Sequence, residues 1–347
     1  MVAAVLIENV TNGGSVSSAA ASIGKLSGST GTVTVAGAGS TWTISGRLGV
    51  GVDATAGTEG GTGVVRIQTG GTVNVTQEIV VGDSVPGSMD QLFLEGGTLS
   101  TPEIDFLAAF KPFFWTSGTL HVGTYHGNII VPNGGGLAPG NSAGSTLILG
   151  DYSQGAPDAA LEIEIGGTAS GSQYDVVNVS GNVFLGGNLH LAMLNGFMPG
   201  PANTFAILQA TGNFSGAFAN AANGQRLLTN DGLGSFIVNY GPGSAFSQKQ
   251  VVLSGFLAAA IPGDYNQNGV VDAADYVVWR NGGSPDSTQA GYNLWKANFG
   301  KTSGSGSAMN GFGAAVPEPA SFVLLMTALT FAIPKHRRTT GNLRARS

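Results

Sequence analysis

Six oxygen-bearing positions within twelve residues are the part of this 347-residue chain best suited to chemistry. Asp264, Asn266 and Asn268 stand at places 1, 3 and 5 of a twelve-residue loop, Gly269 at 6, Val270 at 7, Asp272 at 9 and Asp275 at 12. Calcium takes about six to eight hard oxygens at flexible geometry. Alternate side chains at the first three places, a backbone carbonyl at 7, place 9 (often through water) and a carboxylate at 12 supply them. The expected metal ligands are therefore Asp264, Asn266, Asn268, Val270 through its carbonyl, Asp272 and Asp275, holding one Ca2+. A plainer use of the same residues stays open: Asp272 and Asp275 also read as the N-cap and N3 acid of a helix that continues through Tyr276-Val-Val-Trp279.

Elsewhere the chemical signals are weaker. Glu162 and Glu164 share one strand face, and Asp151, Asp158 and Asp175 are near in sequence. Sugar chemistry would need a carboxylate pair with one pKa raised, or a calcium-carboxylate cluster with a Lys or Arg base. Neighbouring acids on a solvated strand face are the commoner arrangement. His121, His126 and His190 are scattered without metal-ligand spacing. Gly140-Asn-Ser-Ala-Gly144 has Gly-x-Ser-x-Gly spacing but stands among strand and turn segments without the helix that follows a nucleophile elbow, so no elbow is assigned. Gly60-Gly-Thr-Gly63 lacks a following Lys, so it is a turn and not a phosphate cradle. No catalytic residue and no organic cofactor site is assigned. The absence of cysteine excludes disulfides, Cys-ligated zinc and thiol nucleophiles together.

Charge narrows the partners. The chain carries −6, but residues 1–256 hold six Lys or Arg against fifteen Asp or Glu, a net of −9. Nucleic acid is excluded as a partner, because phosphate binding needs clustered cations.

The elements that must position the loop are short strands. Gly is 57 of 347 and charged residues are only 10%, yet β-branched runs such as Gly31-Thr-Val-Thr-Val35, Ile79-Val-Val81 and Leu161-Glu-Ile-Glu-Ile165 rule out a disordered polar chain. Gly31-Thr-Val-Thr-Val35, Gly63-Val-Val-Arg-Ile67, Leu92-Phe-Leu94 and Gly118-Thr-Leu-His-Val122 align at spacings near thirty, with Thr41-Trp42, Gly71-Thr72-Val73, Gly97-Thr98-Leu99 and Gly136-Leu137 recurring between them. Leu48-Gly-Val-Gly51 and Ile79-Val-Val-Gly82 repeat as well. Units this small cannot bury an apolar face alone, so they stack. The fold expected is all-β: a right-handed parallel β-helix or solenoid, then a further β-rich region, a small α-helical calcium module and a short C-terminal membrane helix. An antiparallel sandwich with Gly-rich hairpins is the competing arrangement, since the repeat length drifts.

Three resemblances follow from particular residues. Leu137-Ala-Pro-Gly-Asn-Ser-Ala-Gly144, followed by Leu147-Ile-Leu-Gly-Asp-Tyr-Ser-Gln154, resembles segments near the end of passenger regions in autotransporter-like β-helical surface proteins. Asp275 at place 12, where Glu is usual, makes the calcium loop resemble a dockerin type I module. Tyr276, Trp279 and Arg280 recur as Tyr292, Trp295 and Lys296, which gives two helices with like faces. The second loop departs from that pattern: Arg280, Gly282, Ser284, Thr288 and Gly291 build no charged oxygen cage. The resemblance implies one calcium and a cohesin-like partner, with partner binding put in doubt by the missing second loop. At helical spacing, Tyr276, Trp279, Tyr292, Trp295 and Phe299 read as the core of this module, with sugar stacking the other use.

The end of the chain resembles a PEP-CTERM sorting signal. Val316-Pro317-Glu318-Pro319 precedes an uncharged stretch from Ala320 to Ile333, then Lys335, Arg337, Arg338, Arg344 and Arg346. Lys and Arg resist translocation and hold that end at the cytoplasmic side. At about 1.5 Å per residue the stretch spans only about 21 Å of the roughly 30 Å hydrocarbon layer, so thinning and snorkelling close the gap. The resemblance implies processing by an exosortase-type enzyme near Pro317, Glu318 and Pro319, with the remaining tail left in the membrane. Met1 to Ile7 is too short and lacks the basic residues of an export signal, so the true signal is expected upstream of Met1.

The organisation expected is thus an N-terminal segment at 1–23, solenoid repeats at 24–136, a second β-rich region at 137–257 that extends or caps the solenoid, and a linker at 258–262. The calcium module at 263–300, a Ser/Gly-rich spacer at 301–315, the sorting signal at 316–338 and a basic tail at 339–347 complete it. The function expected is a non-enzymatic protein displayed at the cell envelope or in the extracellular matrix, with an extracellular polysaccharide as a further possible partner. The alternatives are a β-helical polysaccharide lyase or hydrolase and a glycan-binding adhesin; a cleft gathering three or more acids with a basic residue would favour the enzyme.

Overall fold

The computed structural model describes residues 5–53, 60–82, 89–107 and 113–302. It divides into two compact units, Met1–Ala259 and Ala260–Thr302. Strands make up 48% of the structure and helix 6%, and the strands wind a β-solenoid of about 7 turns, which settles the all-β class against the sandwich.

The coils follow one another in chain order. The first holds β1 (Val5–Val10), β2 (Ser15–Ser18) and β3 (Ala21–Ile23); the second β4 (Thr30–Val35), β5 (Ser40–Ile44) and β6 (Leu48–Val50). The third holds β7 (Thr62–Gln68), β8 (Gly71–Val75) and β9 (Ile79–Val81). In the next two coils β10 (Gln91–Phe106) and β11 (Phe113–Tyr125) each bend through three faces without a break. Then come β12 (Ile129–Ile130), β13 (Gly135–Pro139) and β14 (Ser145–Ile148), followed by β15 (Tyr152–Ser153), β16 (Ala160–Ile165) and β17 (Val176–Val179). A further coil has β18 (Val183–Leu185), β19 (Asn188–Met193) and β20 (Phe205–Ala210), and β21 (Phe214–Gly216) closes the parallel series.

Stacking in register makes the core. On one face Trp42, Val73, Leu99, Leu120, Leu137, Leu161 and Leu189 pair in sequence up the ladder, and all seven are buried. Fully burying such a side chain contributes about 1.5–3 kcal/mol, so a single continuous row is a large share of the solenoid's stability. Period-two alternation delivers it: β5 and β8 bury every second residue and turn the intervening ones outward.

Glycine matters most where coils approach at a corner. Gly118 has φ of +91°, and a Cβ there would lie 2.3 Å from the Gly97 carbonyl oxygen of the preceding coil. This stack also corrects the sequence alignment. Gly118-Thr-Leu-His-Val122 belongs with Gly97-Thr98 and Gly71-Thr72, because Thr119 pairs with Thr98 and Thr98 with Thr72. The strand of this coil that stacks on Leu92-Phe-Leu94 begins at Phe113. Its Phe-Phe-Trp sequence lacks the Gly-Thr signature, so the next match along the chain takes its place in a reading by eye.

The β-rich region beyond residue 136 both extends the solenoid and caps it. Leu137 continues the ladder onto Leu161 without interruption. After β21 the chain reverses into β22 (Arg226–Leu228), β23 (Gly234–Asn239) and β24 (Gln250–Ala258), and β24 runs antiparallel to β20.

The second unit carries α1 (Ala273–Arg280) and α2 (Gln289–Asn298). Among the described residues no helix is long and apolar enough to cross a membrane. The expected membrane span, with Pro317, Glu318 and Pro319, lies outside the described residues.

Candidate functional site

The twelve-residue loop forms around its own side-chain oxygens. Asp264 accepts from the N–H of Asn268 at 3.1 Å and of Gly269 at 2.8 Å. Asn266 and Asn268 each accept from the N–H two residues on, at 2.9 Å. Asp275 is fully buried and accepts from the N–H of Asn266 at 2.9 Å and of Asp272 at 2.8 Å, one on each oxygen. Gln267 and Gly269 take positive φ, which turns the chain back over these oxygens.

Two uses of the loop coexist. Asp272 caps α1 by accepting from Ala274 N–H, and with Asp275 at N3 it completes a capping box. Each carboxylate oxygen bound to an N–H still has a lone pair left. The donor set is all hard oxygen and fits calcium. Among the described residues no group of three or more His, Asp or Glu side chains is disposed to hold a metal ion; here two asparagines and a carbonyl would complete the set.

Aromatic side chains hold the loop against its helices. Tyr276, Trp279, Tyr292 and Trp295 lie at ring separations of 5.1–6.1 Å, and the Trp295 indole donates to the Asp272 carbonyl at 2.7 Å. Trp295 is buried, and Tyr276, Trp279 and Tyr292 pack around it half-buried. The failed second loop does other work: Thr288 caps α2 and Ser284 donates to the Asp286 carbonyl.

The solenoid gathers a second constellation. His121, Glu162, Glu164, Asp175 and His190 line a cleft of about 280 Å³. Glu162 and His190 are ladder partners on β16 and β19, 28 residues apart, and the His190 Nδ1 lies 2.9 Å from a Glu162 oxygen. Sequence reading left these histidines scattered; the signal that unites them is the coil length itself. The cleft meets the criterion of three acids with a basic partner. His126, by contrast, pairs with Glu103 at 2.7 Å away from the cleft.

Within the cleft Asp175 is a structural tie. Its two oxygens accept from Gly144 N–H at 2.6 Å and from Glu164 N–H at 2.8 Å, which joins the turn before β14 to β16. Burial pushes its carboxyl from 3.8 up to about 7, against those two hydrogen bonds. The folded protein therefore holds this proton more tightly than the unfolded chain, and stability falls as pH rises from 3.8 through about 7. Asp175→Asn is expected to abolish that slope. It also sets an amide NH2 against one of the two N–H donors, so urea unfolding at pH 5 should show a loss of about 1–3 kcal/mol.

No protein-family model, no curated protein and no solved structure matches this chain. Fold and sites define it by physics alone: a capped parallel β-solenoid with an acid-histidine cleft, followed by a two-helix unit built on an oxygen-rich loop.

Proposed function

We propose that this chain is a non-enzymatic protein exported to the cell envelope or extracellular matrix, whose second unit is a dockerin-like module stabilised by one calcium ion. The loop from Asp264 to Asp275 carries this reading: hard-oxygen residues occupy the ligand places, and its last carboxylate is buried against backbone donors. Two of its five side-chain ligands are neutral amides, a ligand charge suited to the weak binding of extracellular modules, roughly 10⁻⁴–10⁻³ M. A cytosolic calcium level would leave such a loop empty.

The body serves as a display scaffold, wound right-handed as twisted parallel strands favour. An exosortase-type enzyme acts near Pro317, Glu318 and Pro319, and the span that follows reaches the membrane. A cohesin-like protein or an extracellular polysaccharide is the partner. The test is intact mass on protein recovered separately from envelope, medium and cell interior. Mass corresponding to loss of the tail beyond Pro319 in the first two fractions is expected. Intact chain confined to the interior would end the proposal.

The cleft favours a second reading, a polysaccharide-active enzyme, because it brings three acids and two histidines together. Turnover of neutral or acidic polysaccharide that is lost in Glu162→Gln would replace the scaffold reading with this one.

A further inference from the structure

The cleft on β11, β13, β16 and β19 has a chemistry that selects its occupant. Its charged walls are carboxylates; no Lys or Arg lines it. Glu164 forms no ion pair or side-chain hydrogen bond among the described residues, and its side chain stands half-exposed beside Glu162 on the outward face of β16. His121 adds an unsatisfied polar atom: its Nδ1 is buried without a partner at hydrogen-bonding geometry, although the Gly140 backbone lies close enough to favour the charged ring. Burial moves His121 down, the carboxylates of Glu164 and Glu162 pull it back up, and burial moves Asp175 up. The concavity that gathers His121, Glu162, Glu164 and His190 is therefore a candidate site.

The lining also excludes ligands. A polyuronate or phosphate would bring negative charge against Glu162 and Glu164 in a body of net charge −9 over residues 1–256. The hydroxyls of Thr119 and Ser142 and the amide of Asn230 also line the cleft and can meet hydroxyl groups. An occupant that satisfies this set carries one positive charge and several hydroxyls close to it.

We infer that the cleft beside Glu162, Glu164 and His190 binds an amino sugar, with the ligand's ammonium group on Glu164 and its hydroxyls on the surrounding polar groups. The site is independent of the calcium loop, so either can fail alone. Charge-assisted hydrogen bonding to Glu164 supplies the selectivity. A lysine side chain offers the same ammonium without adjoining hydroxyls, and the test separates the two sources.

Isothermal titration of the full chain with the trimer of glucosamine is expected to show saturable binding. The N-acetylated trimer, polygalacturonate and a trilysine peptide should each bind at least about tenfold more weakly. Glu164→Gln should weaken binding of the glucosamine trimer by about tenfold to a hundredfold, the range for a hydrogen bond to a charged group. Glu162→Gln serves the same purpose if the first variant fails to fold. Asp158→Asn, which removes one charge outside the cleft, should bind as the parent does. Absence of saturable binding, equal binding of the acetylated trimer, preference for trilysine, or an unchanged Glu164→Gln each overturns the inference.

Discussion

Calcium added to the full-length protein is expected to raise the helical signal of α1 and α2 and to shift their unfolding to higher temperature. An ion that binds only the folded unit stabilises it by about 2.7 kcal/mol at a hundredfold excess over its dissociation constant. That is a large effect for a unit spanning only Ala260–Thr302, where few apolar side chains are buried beyond Val271 and Trp295. Asp275→Ala should abolish the response. It should also destabilise the unit without calcium, by about 1–3 kcal/mol in all, because the partly buried N–H groups of Asn266 and Asp272 lose their acceptor. Emission from Trp279 and Trp295, together with far-ultraviolet dichroism, reads both effects. Magnesium is the control, since it demands near-octahedral geometry and gives up its waters reluctantly. A calcium titration that leaves the unfolding of this unit unmoved would show that the loop is an Asx-rich helix cap and nothing more.

Phe205→Ala is expected to be the most damaging single truncation in the solenoid. Phe205 is fully buried where parallel stacking gives way to the antiparallel cap, with β17 on one side of its strand and β24 on the other. Its ring lies 5.1 Å from Tyr174 and 5.8 Å from Phe236, both edge-on. Phe-to-Ala changes in cores cost about 3–5 kcal/mol. Loosening the cap also bares strand edges, which template pairing with other chains. A lowered urea midpoint accompanied by concentration-dependent assembly is expected. Leu228→Ala, at a position 71% exposed, should stay within about 0.5 kcal/mol of the parent. A midpoint shift for Phe205→Ala no larger than that of Leu228→Ala would mean the cap is held chiefly by backbone pairing.

Local regularity decided what could be read from the residues. Alternation in Gly31-Thr-Val-Thr-Val35 and Ala160-Leu-Glu-Ile-Glu-Ile165 marks strands with one buried face, and a recurrence near thirty residues means stacking, because one coil cannot cover its own apolar row. The turn at Asp264 was legible for a similar reason: its oxygen-bearing residues bond N–H groups within twelve residues, so no distant contact is needed to assemble it. The helix cap at Asp272 and Asp275 was legible on the same ground.

Contacts between coils were a different matter. The ladder row of Gly118 could not be assigned from a motif that two faces share, and only pairing with Thr98 and Thr72 fixed it. His190 lies 28 residues from Glu162 and one coil above it, and His121 lies two coils below Glu162, yet stacking in register brings all three to a common cleft. Asp175 looks like any exposed acid in the sequence until two backbone donors, one in the turn before β14 and one on β16, close on it. The sequence by itself determined the strand period, the stacking habit and the oxygen-rich loop, all of which depend on neighbours along the chain. The tertiary structure alone decided which outward side chains share a cleft, because that depends on the exact number of residues in each coil, and a drift of a few residues moves a side chain to another face.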